Sequence, residues 1–302
     1  MATSTARIIA IIAATLATSA ALAAQRTFDK QLTAPPGGRL TFDADVGSVS
    51  IVGHDAPEVV VHADLEGSQS LLDRLHISAE QTASGVRVSA RANHDGWLDW
   101  FKWGSTRVDF TIEVPRNYPV DLRTSGGGIE VRDLNAAVLG KTSGGGIRLQ
   151  NINGGITMHT SGGGIDAEHL DGPAELTSSG GPIDVTDSTG NLDLDTSGGS
   201  IHIQNDDGTV QAHTSGGSIR AQLRSNHGIS LSTSGGSITL LLPQNTPGSI
   251  DAETSGGSVS SDFPLTTTHF SSGSHVQGTI GGGGAAISLH TSGGSIHIGP
   301  ET

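Results

Sequence analysis

Thr124 opens the stretch TSGGGIEVRDLNAAVLGK (124–141), which continues as TSGGGIRLQNINGGITMH (142–159) and TSGGGIDAEHLDGPAELT (160–177). Variants of the opening hexapeptide return as SSGGPI at Ser178, TSGGSI at Thr196, Thr214 and Thr233, TSGGSV at Thr254 and TSGGSI at Thr291. The first six starts lie 18 residues apart, and the later gaps are 19, 21 and 37. A fixed period near 20 residues is the signature of a stacked-repeat architecture. The long last gap predicts a degenerate rung around Gly278-Thr279-Ile280.

Within a unit, the fifth residue after the Thr is Ile129, Ile147, Ile165, Ile183, Ile201, Ile219 or Ile238, and the seventh is Val131, Leu149, Ala167, Val185, Ile203, Ala221 or Leu240. A spacing of two puts both on one face of a strand. Glu130, Arg148, Asp166, Asp184, His202 and Arg220 lie between them and form a column facing water. A second apolar pair leads into each next Thr, as in Ile156 and Met158 or Leu192 and Leu194. The Thr continues that alternation, which predicts an inward ladder with the hydroxyl bonded to the backbone of the glycine corner. Each unit therefore reads as two short strands and two turns. The Ser-Gly-Gly corner is expected to use glycine for positive φ and for close stacking of rungs. One rung buries almost nothing alone. Stacked about 4.8 Å apart, nine to eleven rungs share a narrow core in a rod of about 45–50 Å.

The fold class predicted is all-β: a parallel β-solenoid, with an antiparallel β cap near the N-terminus. The chain divides into a signal peptide (1–23), an N-terminal β region (24–119) and the repeat solenoid (120–302). Arg7, the apolar run Ile8–Leu16 and the small-x-small site Ala21-Leu22-Ala23 make the leader a secretory signal, so the protein is expected to be exported, periplasmic or on the cell surface, with no transmembrane segment after cleavage. Val46–Ile51 and Val59–Val61 read as a first rung, Leu71–Leu75 as a helical turn, and 76–80, 85–91 and 106–114 as an antiparallel meander that covers one end of the core. The last rung, with Ile296 and Ile298, is expected to be only lightly covered and available for strand pairing.

The 302 residues include 44 Gly, no Cys and 3% aromatics, with a formal charge of −14. Loss of the leader removes Arg7 and makes the chain one unit more acidic. An acidic surface argues against nucleic acid and anionic lipid as partners. The absence of Cys removes disulfides and thiolate metal sites.

The exported leader, Val46–Asp55 (VGSVSIVGHD), Val114-Pro115-Arg116 and the serial T-S-G-G-x-I motif resemble the bacterial putative-adhesin family of unknown function, over roughly residues 28–299. That resemblance implies a right-handed single-stranded β-helix and a surface or envelope role. It implies no catalytic residues.

No catalytic, cofactor or metal site is read from the sequence, and no cofactor is expected. Asp184, Asp187, Asp193 and Asp195 with Asn205-Asp206-Asp207 are the residues a polysaccharide-active enzyme would use, through paired carboxylates. A solvated acidic face accounts for them more simply. His159, His213 and His290 share a column with Lys141, Asp195, Ser232 and Glu253, a mixture expected of exposed surface rather than a metal site. The candidate binding loop is Trp97, Trp100, Phe101 and Trp103, which contains all three Trp of the chain. Trp faces stack on sugars or anchor partners, whereas folded inward the same rings would complete the cap. The leading functional expectation is a non-enzymatic envelope scaffold or adhesin-like binding protein with a glycan, cell-surface or envelope-protein partner. The alternatives are the polysaccharide-active enzyme and an interaction partner in envelope signalling.

Overall fold

In the computed structural model, residues 24–93, 106–271 and 274–301 are described, the side chains of 267–271 excepted. The chain winds into two long sheets that face each other across one core. The N-terminal strands are β1 (Ala24–Thr33), β2 (Arg39–Ala44), β3 (Ser48–His54), β4 (Glu58–Gly67), β5 (Leu75–Thr82), β6 (Gly85–Ala92) and β7 (Arg107–Pro115), with one helical turn, α1 (Gln69–Leu72). The repeat contributes β8 (Val120–Thr124), β9 (Ile129–Leu134), β10 (Val138–Thr142), β11 (Ile147–Asn153), β12 (Ile156–Thr160), β13 (Ile165–Asp171), β14 (Ala174–Ser178), β15 (Ile183–Thr189), β16 (Leu192–Thr196), β17 (Ile201–Asp206), β18 (Val210–Thr214), β19 (Ile219–Leu223), β20 (Ile229–Thr233) and β21 (Ile238–Leu242). The C-terminal strands are β22 (Gly248–Thr254), β23 (Val259–Ser261), β24 (Thr266–Ser271), β25 (His275–Ile280), β26 (Ala286–Thr291) and β27 (Ile296–Pro300).

Strands that begin with the motif Ile stack in the first sheet, and strands that end in the motif Thr stack in the second. The repeat pairings are parallel and in phase, apart from one register shift between Gln204 and Asp206 on β17: Ile147 lies between Ile129 and Ile165, and Thr160 between Thr142 and Ser178. Ile, Val and Leu of successive rungs merge into one buried cluster that runs from Ala34 to Ile298. The predicted Thr ladder is present. Thr160 is fully buried, donates its hydroxyl to Gly145 O at 2.8 Å and accepts the Gly163 amide at 3.2 Å. The same pair of bonds recurs at Thr142, Ser178, Thr196, Thr214, Thr233, Thr254 and Thr291.

The corner glycines depart from expectation in one respect. None of the motif glycines has positive φ. The second glycine is required by stacking: a Cβ on Gly163 would lie 2.3 Å from Gly145 O. Positive φ belongs to the other turn, at Gly154, Gly172, Gly190 and Gly228, and to a column of non-glycine residues, Asp133, Asn151, His169, Asp187 and Asn205, with φ between 54° and 61°. Asn and Asp tolerate this left-handed conformation best. It breaks the inward–outward alternation, so that Gln150 and Asn151 both face out before Ile152 turns in.

At the N-terminal end, β2 and β3 form a rung stacked on β8 and β9. Beyond it β6 and β7 add a further parallel layer. The expected meander of 76–80, 85–91 and 106–114 is thus split between the sheets, with β5 antiparallel to β6 in one and β7 in the other. Val59–Val61, expected in the first rung, lie instead on β4, which with β1 runs antiparallel beyond β7. Phe42 and Phe110 meet edge to face at 5.0 Å in this part of the core.

The C-terminal end corrects two expectations. The last rung in sequence is not the last in space, because β26 inserts between β20 and β22, and β27 between β21 and β23. Ile296 and Ile298 are consequently fully buried, which removes the motive for strand pairing there. Strands β24 and β25 form no degenerate rung. They pair antiparallel with each other, and β25 runs antiparallel against β22, covering the end of the second sheet.

Candidate functional site

The outer face of the first sheet carries the column anticipated from the repeat. Glu130, Arg148, Asp166, Asp184, His202 and Arg220 sit in register on successive strands. Arg148 pairs with Asp166 at 3.3 Å, His202 with Asp184 at 2.9 Å, and Arg132 with Glu130 at 3.3 Å. A second outward column adds Gln150, which donates to Glu168 at 3.2 Å.

An open groove of about 430 Å³ crosses this face, with Gly128, Gly146 and Gly164, Ile129, Ile147 and Ile165, Ser48 and Val49 in its lining and the charged column beside them. A hollow of about 360 Å³ adjoins it and shares Glu130, Arg148 and Asp166. The groove has a local cause in the sequence. In the later repeats the fifth motif residue is Ser, whose hydroxyl accepts the amide of its counterpart one rung on: Ser218 N–H reaches Ser200 Oγ at 3.2 Å, Ser237 reaches Ser218 at 3.1 Å and Ser295 reaches Ser237 at 3.2 Å. In three earlier repeats that residue is glycine. No hydroxyl fills the space, and the amides of Gly146 and Gly164 have no acceptor among the described residues. The next rung has Pro182, whose ring a Cβ on Gly164 would meet at 3.2 Å. The groove therefore offers backbone donors and carboxylate acceptors repeated at the rung spacing.

The acidic residues singled out from the sequence do not converge. Asp184 and Asp187 lie on β15 in the first sheet, while Asp193 and Asp195 lie on β16 in the second, facing out on the opposite side of the core. Asp187 binds Arg224 at 3.0 Å and Asn205 at 3.1 Å. Asp207 is exposed; its carboxyl is held below the ordinary range first by the Ser225 hydroxyl and then by His227. Asp206, taken from the sequence as part of an exposed turn, is instead fully buried. His159, His213 and His290 do share one outward column with Lys141, Asp195, Ser232 and Glu253. No group of three or more His, Asp or Glu among the described residues is placed to hold a metal ion. Trp97, Trp100, Phe101 and Trp103 lie outside the described residues, as does the leader. Among the described residues no helix is long and apolar enough to cross a membrane.

Fold and groove together define a parallel β-solenoid with an open lateral groove. The sequence matches the Toastrack DUF4097 family over residues 38–299, and the chain belongs to that family. No curated protein matches it significantly. Among solved structures it is similar to a putative cell adhesion protein from Clostridium sporogenes (13% identity, 91% of this chain and 100% of that one, TM-score 0.23). It is also similar to a putative adhesin from Bacteroides fragilis (12%, 92% and 97%, TM-score 0.32). A third is a putative lipid binding protein from Parabacteroides distasonis (13%, 92% and 97%, TM-score 0.40).

Proposed function

We propose that this chain is a non-enzymatic, adhesin-like binding module of the cell envelope, and that the groove over Gly128, Gly146 and Gly164 takes a neutral, hydroxyl-rich glycan chain. The observation that carries the reading is the run of rungs in which glycine replaces the serine that elsewhere occupies the amide of the next rung. Free amides donate to sugar oxygens, and Glu130, Asp166 and Asp184 accept from sugar hydroxyls. Those carboxylates also disfavour an anionic polymer. The open form of the site suits an extended chain better than a small molecule, which binds in enclosed pockets. Asp184 and Asp166 are already engaged by His202 and Arg148 and have no walled cleft around them, which argues against the paired-carboxylate chemistry of a polysaccharide-active enzyme.

The test restores the serine. Gly128→Ser and Gly146→Ser, together, would occupy the amides of Gly146 and Gly164 in the manner of Ser200 and Ser218. An added Cβ meets the next carbonyl at 3.1 and 3.3 Å there, so the rungs must give slightly and a melting curve checks that the fold is kept. Binding to neutral envelope polysaccharide, measured by co-sedimentation and on a glycan array, should weaken at least about tenfold, or about 1.4 kcal/mol. Unchanged binding would move the site elsewhere. Trp100→Ala and Trp103→Ala, run in parallel, then decide whether the tryptophan segment is the binding loop. Consumption of the polysaccharide during the assay would overturn the non-enzymatic reading.

A further inference from the structure

Asp206 stands where the repeat places an aliphatic side chain. Its column reads Leu134, Ile152, Leu170, Ser188, Asp206 and then Leu223, all buried. Ser188 on β15 donates its hydroxyl to Asp206 Oδ1 at 2.6 Å, and Oδ2 is buried with no hydrogen-bond partner assigned among the described residues. We propose that Asp206 and Ser188 form a proton-responsive site inside the solenoid core, one that keeps its rung closed while the carboxyl is neutral and loosens the corner at 205–208 once the carboxyl ionises.

The charged neighbours do not neutralise it. Behind Ser188 on β15, Asp187 faces out and is paired with Arg224, which follows Leu223 of β19. Asp207, next in the chain, is exposed and pairs with His227 at 3.2 Å. Arg224 and His227 are thus both engaged at the surface, and among the described residues no basic side chain pairs with the Asp206 carboxyl. The Asp207 amide donates to Ser188 O at 3.0 Å. Removing a carboxylate from water without a counter-ion costs far more than removing the neutral acid. Burial accordingly raises the Asp206 carboxyl to about 6, against the Ser188 hydroxyl and the Gly208 and Asp207 amides, which favour the charge, and with the Asp207 charge adding to the rise.

The direction follows from linkage. The folded value lies above the unfolded one, so the stability this group contributes is complete below about 3.8 and is lost as pH rises through about 6. The site departs from the usual carboxylate, whose pairing in the folded state makes acid destabilising.

The experiment uses the full exported chain and two readouts. Carboxyl ¹³C NMR should show Asp206 titrating near 6. Denaturant unfolding from about pH 4 to about pH 7.5 should show the wild-type folding constant falling on the order of 100-fold relative to Asp206→Asn, which cannot ionise. Ser188→Ala, which removes a bond to the charged form, should move the NMR midpoint higher. It also keeps the test usable if Asp206→Asn does not fold. A midpoint in the ordinary carboxylate range, or parallel stability curves for wild type and Asp206→Asn, would overturn the proposal.

Discussion

At Thr160 and Gly163 the repeat motif shows what each of its residues does. The Thr hydroxyl closes the corner by bonding one carbonyl and one amide, and both would be left unpaired in a buried site if it were removed. Thr160→Ala should therefore cost about 1–3 kcal/mol in chemical denaturation. Thr160→Ser should cost much less, since Ser178 makes the same two bonds in the next rung. The two glycines of the corner, alike in sequence, differ in consequence. A Cβ on Gly162 finds its nearest atom at 3.4 Å, whereas on Gly163 it would meet Gly145 O at 2.3 Å. Gly162→Ala should be nearly neutral and Gly163→Ala should destabilise by about 1–3 kcal/mol or more, by forcing rungs apart. Equal melting temperatures for these two variants would refute the stacking explanation. Ser188 and Asp206 were visible in the sequence as breaks in a column of Leu and Ile, but only once the column is known to point inward. The left-handed residues Asn151, His169 and Asp187 shift that alternation, and strand periodicity alone places the residues after them on the wrong face.

Elements in this fold are interchangeable, because each rung presents the same register to its neighbours. That is why β26 and β27 can enter between the Thr233 rung and the Thr254 rung. Ile287, Leu289, Ile296 and Ile298 are buried there on both sides. Removing residues 286–302 deletes four such side chains, each contributing about 1.5–3 kcal/mol, and leaves β22 and β23 without their neighbours. Hydrogen exchange should then show protection lost across β21, β22, β23 and β25 rather than fraying at the new C-terminus alone. Protection retained at β22 would mean that the Thr254 rung docks directly on β20. Sequence order gives no signal of this insertion. The gap of 37 residues shows that something intervenes, but the pairing partner of a repeated strand is ambiguous among identical rungs.

Across the whole molecule, the core is narrow and continuous, and the outer faces carry an excess of acid, with a formal charge of −14. Like charges also stack in register, as Asp166 does on Asp184 and Glu175 on Asp193. The opposite-charge pairs are exposed and contribute little each. Raising ionic strength from about 0.01 M to about 0.3 M should therefore raise the melting temperature, because screening relieves net repulsion more than it weakens the pairs. A fall in melting temperature would show the ion-pair ladders to be the stronger effect.

The fixed period, the paired apolar offsets and the buried Thr were enough to determine a parallel, two-sheet solenoid from sequence, because every rung repeats one local pattern and a repeated pattern can stack in only one register. The glycine that opens the groove was present too, as the change from TSGGS to TSGGG. The tertiary structure alone decided that this glycine leaves an amide free, that the meander divides between two sheets, that the last rung lies inside the stack and that Asp206 lies in the core. Each of these depends on which neighbour lies one rung away, and that information resides in long-range contacts rather than in any local stretch of chain.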